Sequence, residues 1–221
     1  MNEALNEDGT LRKTKWLEII GEDYIEKAFQ FANEADPDAE LYYNDYSLVN
    51  EAKRNGAITI INNLKAKNIK IDGIGMQGHY DLILPKLSDF ETSIKKFAES
   101  GIKVMITEMD IDVLPGREII FGADINARMN MIGNPEFDPW KTELPDSMQI
   151  KLANRYKEFF EVLIRNADKV SRVTFWGVHD GQSWLNNWPI IGRSNYPLLF
   201  DRKGKPKKAF YSLVDLMNKN K

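Results

Sequence analysis

Residues 102–112 read I-K-V-M-I-T-E-M-D-I-D, an apolar and β-branched run that gives way to carboxylates. A short run of this kind suits a strand buried on both faces of a parallel sheet. Its acids then stand at the carboxyl end, where ligands bind in sheets built from strand–helix units. Glu108 is therefore the first candidate functional residue. What else converges on that end decides the chemistry.

Just upstream, residues 72–80 (D-G-I-G-M-Q-G-H-Y) predict another strand. Gly75 and Gly78 mark a close backbone approach or a bend there, with Gln77 and His79 at the tip. Between these strands, Ser88-x-x-Glu91 has the form of a capping box opening a helix that Gly101 closes. Further back, residues 40–44 predict a short strand ending in Asn44-Asp45-Tyr46. A first long helix is expected within residues 16–35, on the stripe Trp16, Ile19, Ile20, Tyr24, Ile25, Ala28, Phe29 and Ala32, with Asp23 a candidate cap after Gly21. A second, at about residues 51–67, sets Ala57, Ile61 and Leu64 on one face.

Downstream lies a connection from residue 113 to 145. Loops of that length in a compact domain are usually functional or disordered. Asp146-x-x-Gln149 has a capping pattern before a helix with the stripe Leu152, Tyr156, Phe159, Phe160 and Leu163. Residues 172–176 predict one more strand, whose tip continues through Gly177-Val178-His179. Pro206 opens a final helix through Phe210, Val214 and Met217.

The order is thus one helix and then strand–helix four times. Such alternation argues for an α/β fold with a parallel sheet and right-handed crossovers. No G-x-G-x-x-G or G-x-x-x-x-G-K-[ST] follows a strand, which counts against a dinucleotide or P-loop site. A closed (β/α)8 barrel takes twice this number of strands. With 221 residues, 43% of them hydrophobic and 29% charged, and with no repeat or linker, one domain over residues 1–221 is the simplest reading. A net charge of −3 gives no footprint for nucleic acid or an anionic membrane. No apolar run is long enough to span a bilayer. The absence of cysteine excludes disulfides and thiolate metal sites.

The strand tips collect Asn2-Glu3, Asn44, Gln77, His79, Glu108, Asp110, Trp176, His179 and Trp184. Singly, each has a blander reading, since a strand-end acid is often a cap and a tryptophan is often core. Their shared position at one end of successive strands favours function. Two glutamates suit paired-carboxylate chemistry, one ionised and one protonated. Amides and histidine can hold hydroxyl groups, and tryptophan faces can stack on sugar rings. The set fits glycoside hydrolysis. His79, Glu108 and Asp110 lack any recognised metal-ligand spacing, so no metal is expected.

The segments Val104-Met105-Ile106-Thr107-Glu108-Met109-Asp110-Ile111, Gly73-Ile74-Gly75-Met76-Gln77-Gly78-His79, Leu41-Tyr42-Tyr43-Asn44-Asp45-Tyr46 and Phe175-Trp176-Gly177-Val178, with Trp184, resemble the C-terminal half of glycoside hydrolase family 10, the retaining endo-β-1,4-xylanases. The resemblance runs over nearly the whole chain. It implies the C-terminal half of a TIM barrel, with the N-terminal half absent and residues 1–221 a partial catalytic domain. It makes Glu108 the nucleophile and Glu3 the acid/base, their carboxyls about 5–5.5 Å apart as retention requires. Asn2 would bond the substrate's 2-hydroxyl, while His79 and Asp110 orient the nucleophile. Gln77 would lie near the same sugar, Trp176 and Trp184 over it, and Asn44, Tyr46 and His179 along its lining. Met109 departs from the family's usual Leu, Ile or Tyr, an apolar exchange of small effect.

The implied partners are xylan or xylooligosaccharides, and a complementary N-terminal half or another copy; no cofactor is implied. Glu3 stands at the third residue without a strand of its own, so the isolated chain is expected to be inactive or weak. Two alternatives remain open at this point. One is a non-catalytic half-barrel that binds sugar or assembles with a partner, and the other is a related TIM-barrel glucanase.

Overall fold

The computed structural model describes residues 1–116, 129 and 131–219. In order, its elements are α1 (Lys15–Ile20), α2 (Tyr24–Ala35), β1 (Tyr42–Asp45), α3 (Glu51–Ala66), β2 (Gly73–Met76), β3 (His79–Asp81), α4 (Leu87–Glu99), β4 (Lys103–Asp112), α5 (Asp146–Arg165), β5 (Val170–Phe175) and α6 (Lys208–Lys219). They divide into two compact units. The first comprises Met1–His79, Pro85–Met109 and Arg165–Thr174, and the second comprises Tyr80–Leu84, Asp110–Ile164 and Phe175–Lys221. The expected long connection at residues 113–145 falls partly outside the described residues.

In the first unit β1 pairs parallel with β2, and β2 parallel with β4. Asn44 stands opposite Gly75, and Gly75 opposite Met105. The sheet order is β1-β2-β4-β3, and β5 also pairs with β4. The strand that carries Glu108, β4, is thus the hub of the sheet. It is longer than the apolar run alone predicts, because it continues through Glu108 to Asp112 rather than ending at the acids. Ile74, Val104 and Ile106 are fully buried, as two-sided coverage requires. Ala57, Ile61 and Leu64 of α3, with Phe90, Ile94 and Phe97 of α4, supply the facing apolar layer. Arg54 ties these helices by donating to Ser93 Oγ at 3.0 Å.

Four local expectations are corrected. The helix expected within residues 16–35 is two, because Gly21 takes φ +97° between them. The α1 part of its stripe is not buried, with Trp16 63% and Ile19 80% exposed, whereas α2 buries Tyr24, Ile25 and Phe29. The strand expected at residues 72–80 breaks at Gly78, φ +89°, so that His79 begins a separate strand. Ser88 does not cap α4: the helix starts from the Lys86 carbonyl, which accepts from Asp89 and Phe90 N–H. Glu91 turns instead to Lys95, Asn166 and Arg165.

In the second unit α5 buries its expected stripe of Leu152, Tyr156, Phe159, Phe160 and Leu163. Tyr80 stacks on Phe159 with ring centres 4.8 Å apart, and Phe160 stacks on Phe175 at 6.2 Å. Asp146 is the first residue of α5, and its carboxylate pairs with Lys208 at 2.7 Å. The buried face of α6 is Ala209, Leu213 and Leu216, and the expected Val214 and Met217 face outward. Just before the helix, Lys207 is drawn inward to Asp180 (2.9 Å) and to the carbonyls of Tyr196 and Leu198. Burial raises the Asp180 carboxyl pKa and lowers that of the Lys207 ammonium.

Candidate active site

The first unit holds seven of the candidate residues and joins six of them in one network. Glu108 emerges from β4 with its side chain only 13% exposed. Its amide donates to the Gln77 carbonyl at 2.7 Å, which fixes the backbone across to the end of β2. Asn44 Nδ2 donates to Glu108 Oε1 at 2.9 Å, and His79 Nε2 lies 3.3 Å from Oε2. Thr107 Oγ1 donates to Asn44 Oδ1 at 2.6 Å, so the Asn44 amide is oriented with its nitrogen toward the carboxylate. Gly75 makes room for this amide, because a methyl group there would lie 2.4 Å from Asn44 Oδ1.

The chain start is not frayed. Asn2 forms a parallel bridge to Asn44, the Met1 carbonyl accepts from Asn44 N–H, and Glu3 N–H donates to the Asn44 carbonyl. The first residues therefore extend the sheet beyond β1, which corrects the expectation that nothing holds Glu3. A second set of bonds fixes the next two residues. Ala4 N–H donates to Tyr43 Oη at 3.1 Å and Leu5 N–H to Asp45 Oδ2 at 3.4 Å. Tyr43 in turn donates to Asp45, and Lys53 pairs with Asp45 at 3.1 Å, both charges fully buried. Burial raises the Asp45 carboxyl, while the Tyr43 and Lys53 bonds oppose that shift. Burial also pushes the Tyr43 hydroxyl far up.

Glu3 accepts from Gln77 Nε2 at 2.9 Å through Oε1, and Arg12 lies 3.3 Å from Oε2. Asn2 Oδ1 stands between the carboxylates, accepting from Asn44 at 2.8 Å and from Gln77 at 3.4 Å. The two acids are thus joined through one amide network, and each has an amide on one oxygen and a basic group near the other. Tyr46 lies outside the network, its ring 3.3 Å beneath the Lys53 ammonium.

The remaining candidates belong to the second unit. Asp110 is fully buried and accepts from Trp184 Nε1 at 2.8 Å. Trp184 stacks on Trp188 with ring centres 4.7 Å apart, which stiffens it as a flat apolar surface. Trp176 is 47% exposed. His179 caps a short 3-10 turn by accepting from Gly181 N–H at 3.2 Å, a structural task for its Nδ1. Among the described residues no group of three or more His, Cys, Asp or Glu is placed to hold a metal. No described helix is long and apolar enough to cross a membrane.

The family model for Glycosyl hydrolase family 10 matches residues 1–216. The chain belongs to that family. Its relatives include an endo-1,4-beta-xylanase A of Xylanibacter ruminicola, 43% identical over 98% of this chain and 58% of that protein. The solved structure of a family 10 endoxylanase from a sugarcane soil metagenome aligns with a TM-score of 0.89 at 44% identity, over 97% of this chain and 60% of that one. A further solved structure, a mutant in complex with xylotriose, aligns with a TM-score of 0.80 at 32% identity, over 97% of this chain and 61% of that one. The chain therefore spans about 60% of the length of such family 10 proteins, and its parallel α/β sheet corresponds to part of their barrel.

Arg12, Tyr43, Asp45 and Lys53 are absent from the residues expected at the site. The signal for two of them was present: β1 alternates, with Tyr43 and Asp45 buried and Asn44 on the other face. Arg12 lies in a loop, where no periodicity marks it.

Proposed function

We propose that this chain carries the two-carboxylate centre of a retaining endo-β-1,4-xylanase. The observation that supports this most is the amide network through Asn2, Asn44 and Gln77 that joins Glu3 to Glu108. Glu108 attacks the anomeric carbon, with Asn44 and His79 holding its two oxygens. Glu3 gives its proton to the departing glycosidic oxygen and then takes one from the water that releases the glycosyl-enzyme. Asn2 bonds the 2-hydroxyl, and Gln77 and Tyr46 line the sugar. The xylotriose held by the related structure is of the matching substrate class.

Full activity, in this reading, belongs to a polypeptide of the length the relatives have. The test is xylan hydrolysis by the purified chain, alone and mixed with a polypeptide covering the remaining length of a relative. Activity should be weak alone and rise on mixing. Glu108→Gln should abolish it, and Glu3→Gln should lower it about 10²–10⁴-fold. Hydrolysis that survives Glu108→Gln would overturn the assignment. Faster turnover of cellulose than of xylan would turn it to a glucanase.

A further inference from the structure

Glu3 is a non-glycine residue with φ +53°, in the left-handed region that L side chains rarely adopt. A conformation of this kind persists when its surroundings over-determine it. At Glu3 they do. Its N–H is bonded to the Asn44 carbonyl, and the next two N–H groups to Tyr43 and Asp45. Its own carbonyl accepts from Arg12 Nη1 at 3.2 Å, and the same nitrogen lies 3.3 Å from Glu3 Oε2. Arg12 is itself tied back, its N–H donating to the Ala4 carbonyl at 2.8 Å. One guanidinium nitrogen thus spans the main chain and the carboxylate of the same residue, closing a small ring around the Glu3 side-chain torsions.

We propose that Arg12 is a positioning residue for Glu3: it locks the glutamate's side chain to its strained backbone and so aims the other carboxylate oxygen at Gln77. This rests on the reading of Glu3 as the proton donor. Arg12 is half-exposed, with 39% of its side chain in solvent, so its replacement should leave the fold standing. A guanidinium is suited to the task because its planar donors hold fixed directions.

The test reads Gln77 first, because its side-chain amide donates to Glu3 and reports its position without any turnover. In NMR spectra of the whole chain, Glu3→Ala should shift the Gln77 side-chain amide signals. Arg12→Gln should shift them the same way, and Arg12→Lys should restore them in part. Signals that move in Glu3→Ala and stay put in Arg12→Gln would overturn the proposal, as would signals indifferent to both. The second readout is kcat/KM, which covers only the steps through glycosyl-enzyme formation, for xylooligosaccharide against a dinitrophenyl xylobioside, whose leaving group departs without a proton. Arg12→Gln should lower the first by about 10- to 100-fold and the second far less. Equal losses on both would mark Arg12 as merely structural and overturn the role. Hydrolysis indifferent to Glu3→Gln, with the Gln77 shifts intact, would instead remove the proton-donor reading and leave the positioning in place.

Discussion

Glu108 and Glu3 belong to the same unit and to one amide network, yet the chain holds them by different means. Glu108 belongs to a ten-residue strand that pairs with β2, β3 and β5. Its position follows from backbone ladders and from the apolar packing of Val104, Ile106 and Met109. Glu3 belongs to a single bridge, and its position follows from side chains: Tyr43, Asp45 and Arg12 bond the backbone around it. The first arrangement is written in hydrophobic pattern, and the second in a buried polar network. Exposure differs in step, 13% for the Glu108 side chain against 36% for Glu3. A polar network is costly when half-satisfied, so damage to it should be felt at Glu3 and spare Glu108.

The largest effect should come from Lys53→Met. It leaves Asp45 buried without its cation, which costs about 3–5 kcal/mol for a broken buried pair. The measurement is urea unfolding of the variant beside the parent. Burial already raises the Asp45 carboxyl, and a raised acid adds stability when it is protonated. The cost of Lys53→Met should therefore shrink as pH falls, and Asp45→Asn added to it should recover part of the loss. A neutral-pH cost under 1 kcal/mol, at about the level of a surface pair, would erase the distinction between the two anchors.

Tyr43→Phe should have a smaller effect and a sharper location. It strips the acceptor from the Ala4 N–H and the donor from Asp45, at about 1–3 kcal/mol for a buried group left unsatisfied. Amide hydrogen exchange should quicken at Ala4 and Leu5. The Glu108 amide, bonded to the Gln77 carbonyl, should exchange as before. Equal acceleration at both would mean that the two carboxylates share one support.

The same contrast explains what the sequence made legible. Asn44, Gln77, His79 and Glu108 could be expected together because strand ends in register must meet, and the apolar runs that mark strands are strong signals. The acids of β4 were legible as well, although the strand's continuation to Asp112 was not, since Asp110 and Asp112 look like tip residues until their burial is seen. The support of Glu3 was hidden for a physical reason. One bridge has no period, and a hydrogen bond that Tyr43 accepts from the Ala4 N–H, or that Arg12 donates to the Glu3 carbonyl, about forty and ten residues away, leaves no trace in local pattern. The breaks at Gly21 and Gly78 were each flagged by a glycine, but periodicity ran across both and won the reading.

The smallest effect tests charges on the strand-borne side. Glu91, on the helix before β4, is held down to about 2 by hydrogen bonds from Lys95 and Asn166, with Arg165 adding to them. A carboxyl whose pKa falls on folding adds stability above its ordinary value of 4.5 and loses it as pH drops toward 2. Glu91→Gln should therefore flatten the stability curve between those values, the parent losing more than the variant. Lys95 and Arg165 stand about half in solvent, so the neutral-pH cost should stay below about 1 kcal/mol. Thermal unfolding of both proteins across the acid range measures the slope. Parallel curves would show that these bonds do not hold Glu91 in solution. A neutral-pH loss as large as that of Lys53→Met would mean that Glu108's side also depends on charge, and the contrast between a strand-held and a network-held carboxylate would fail.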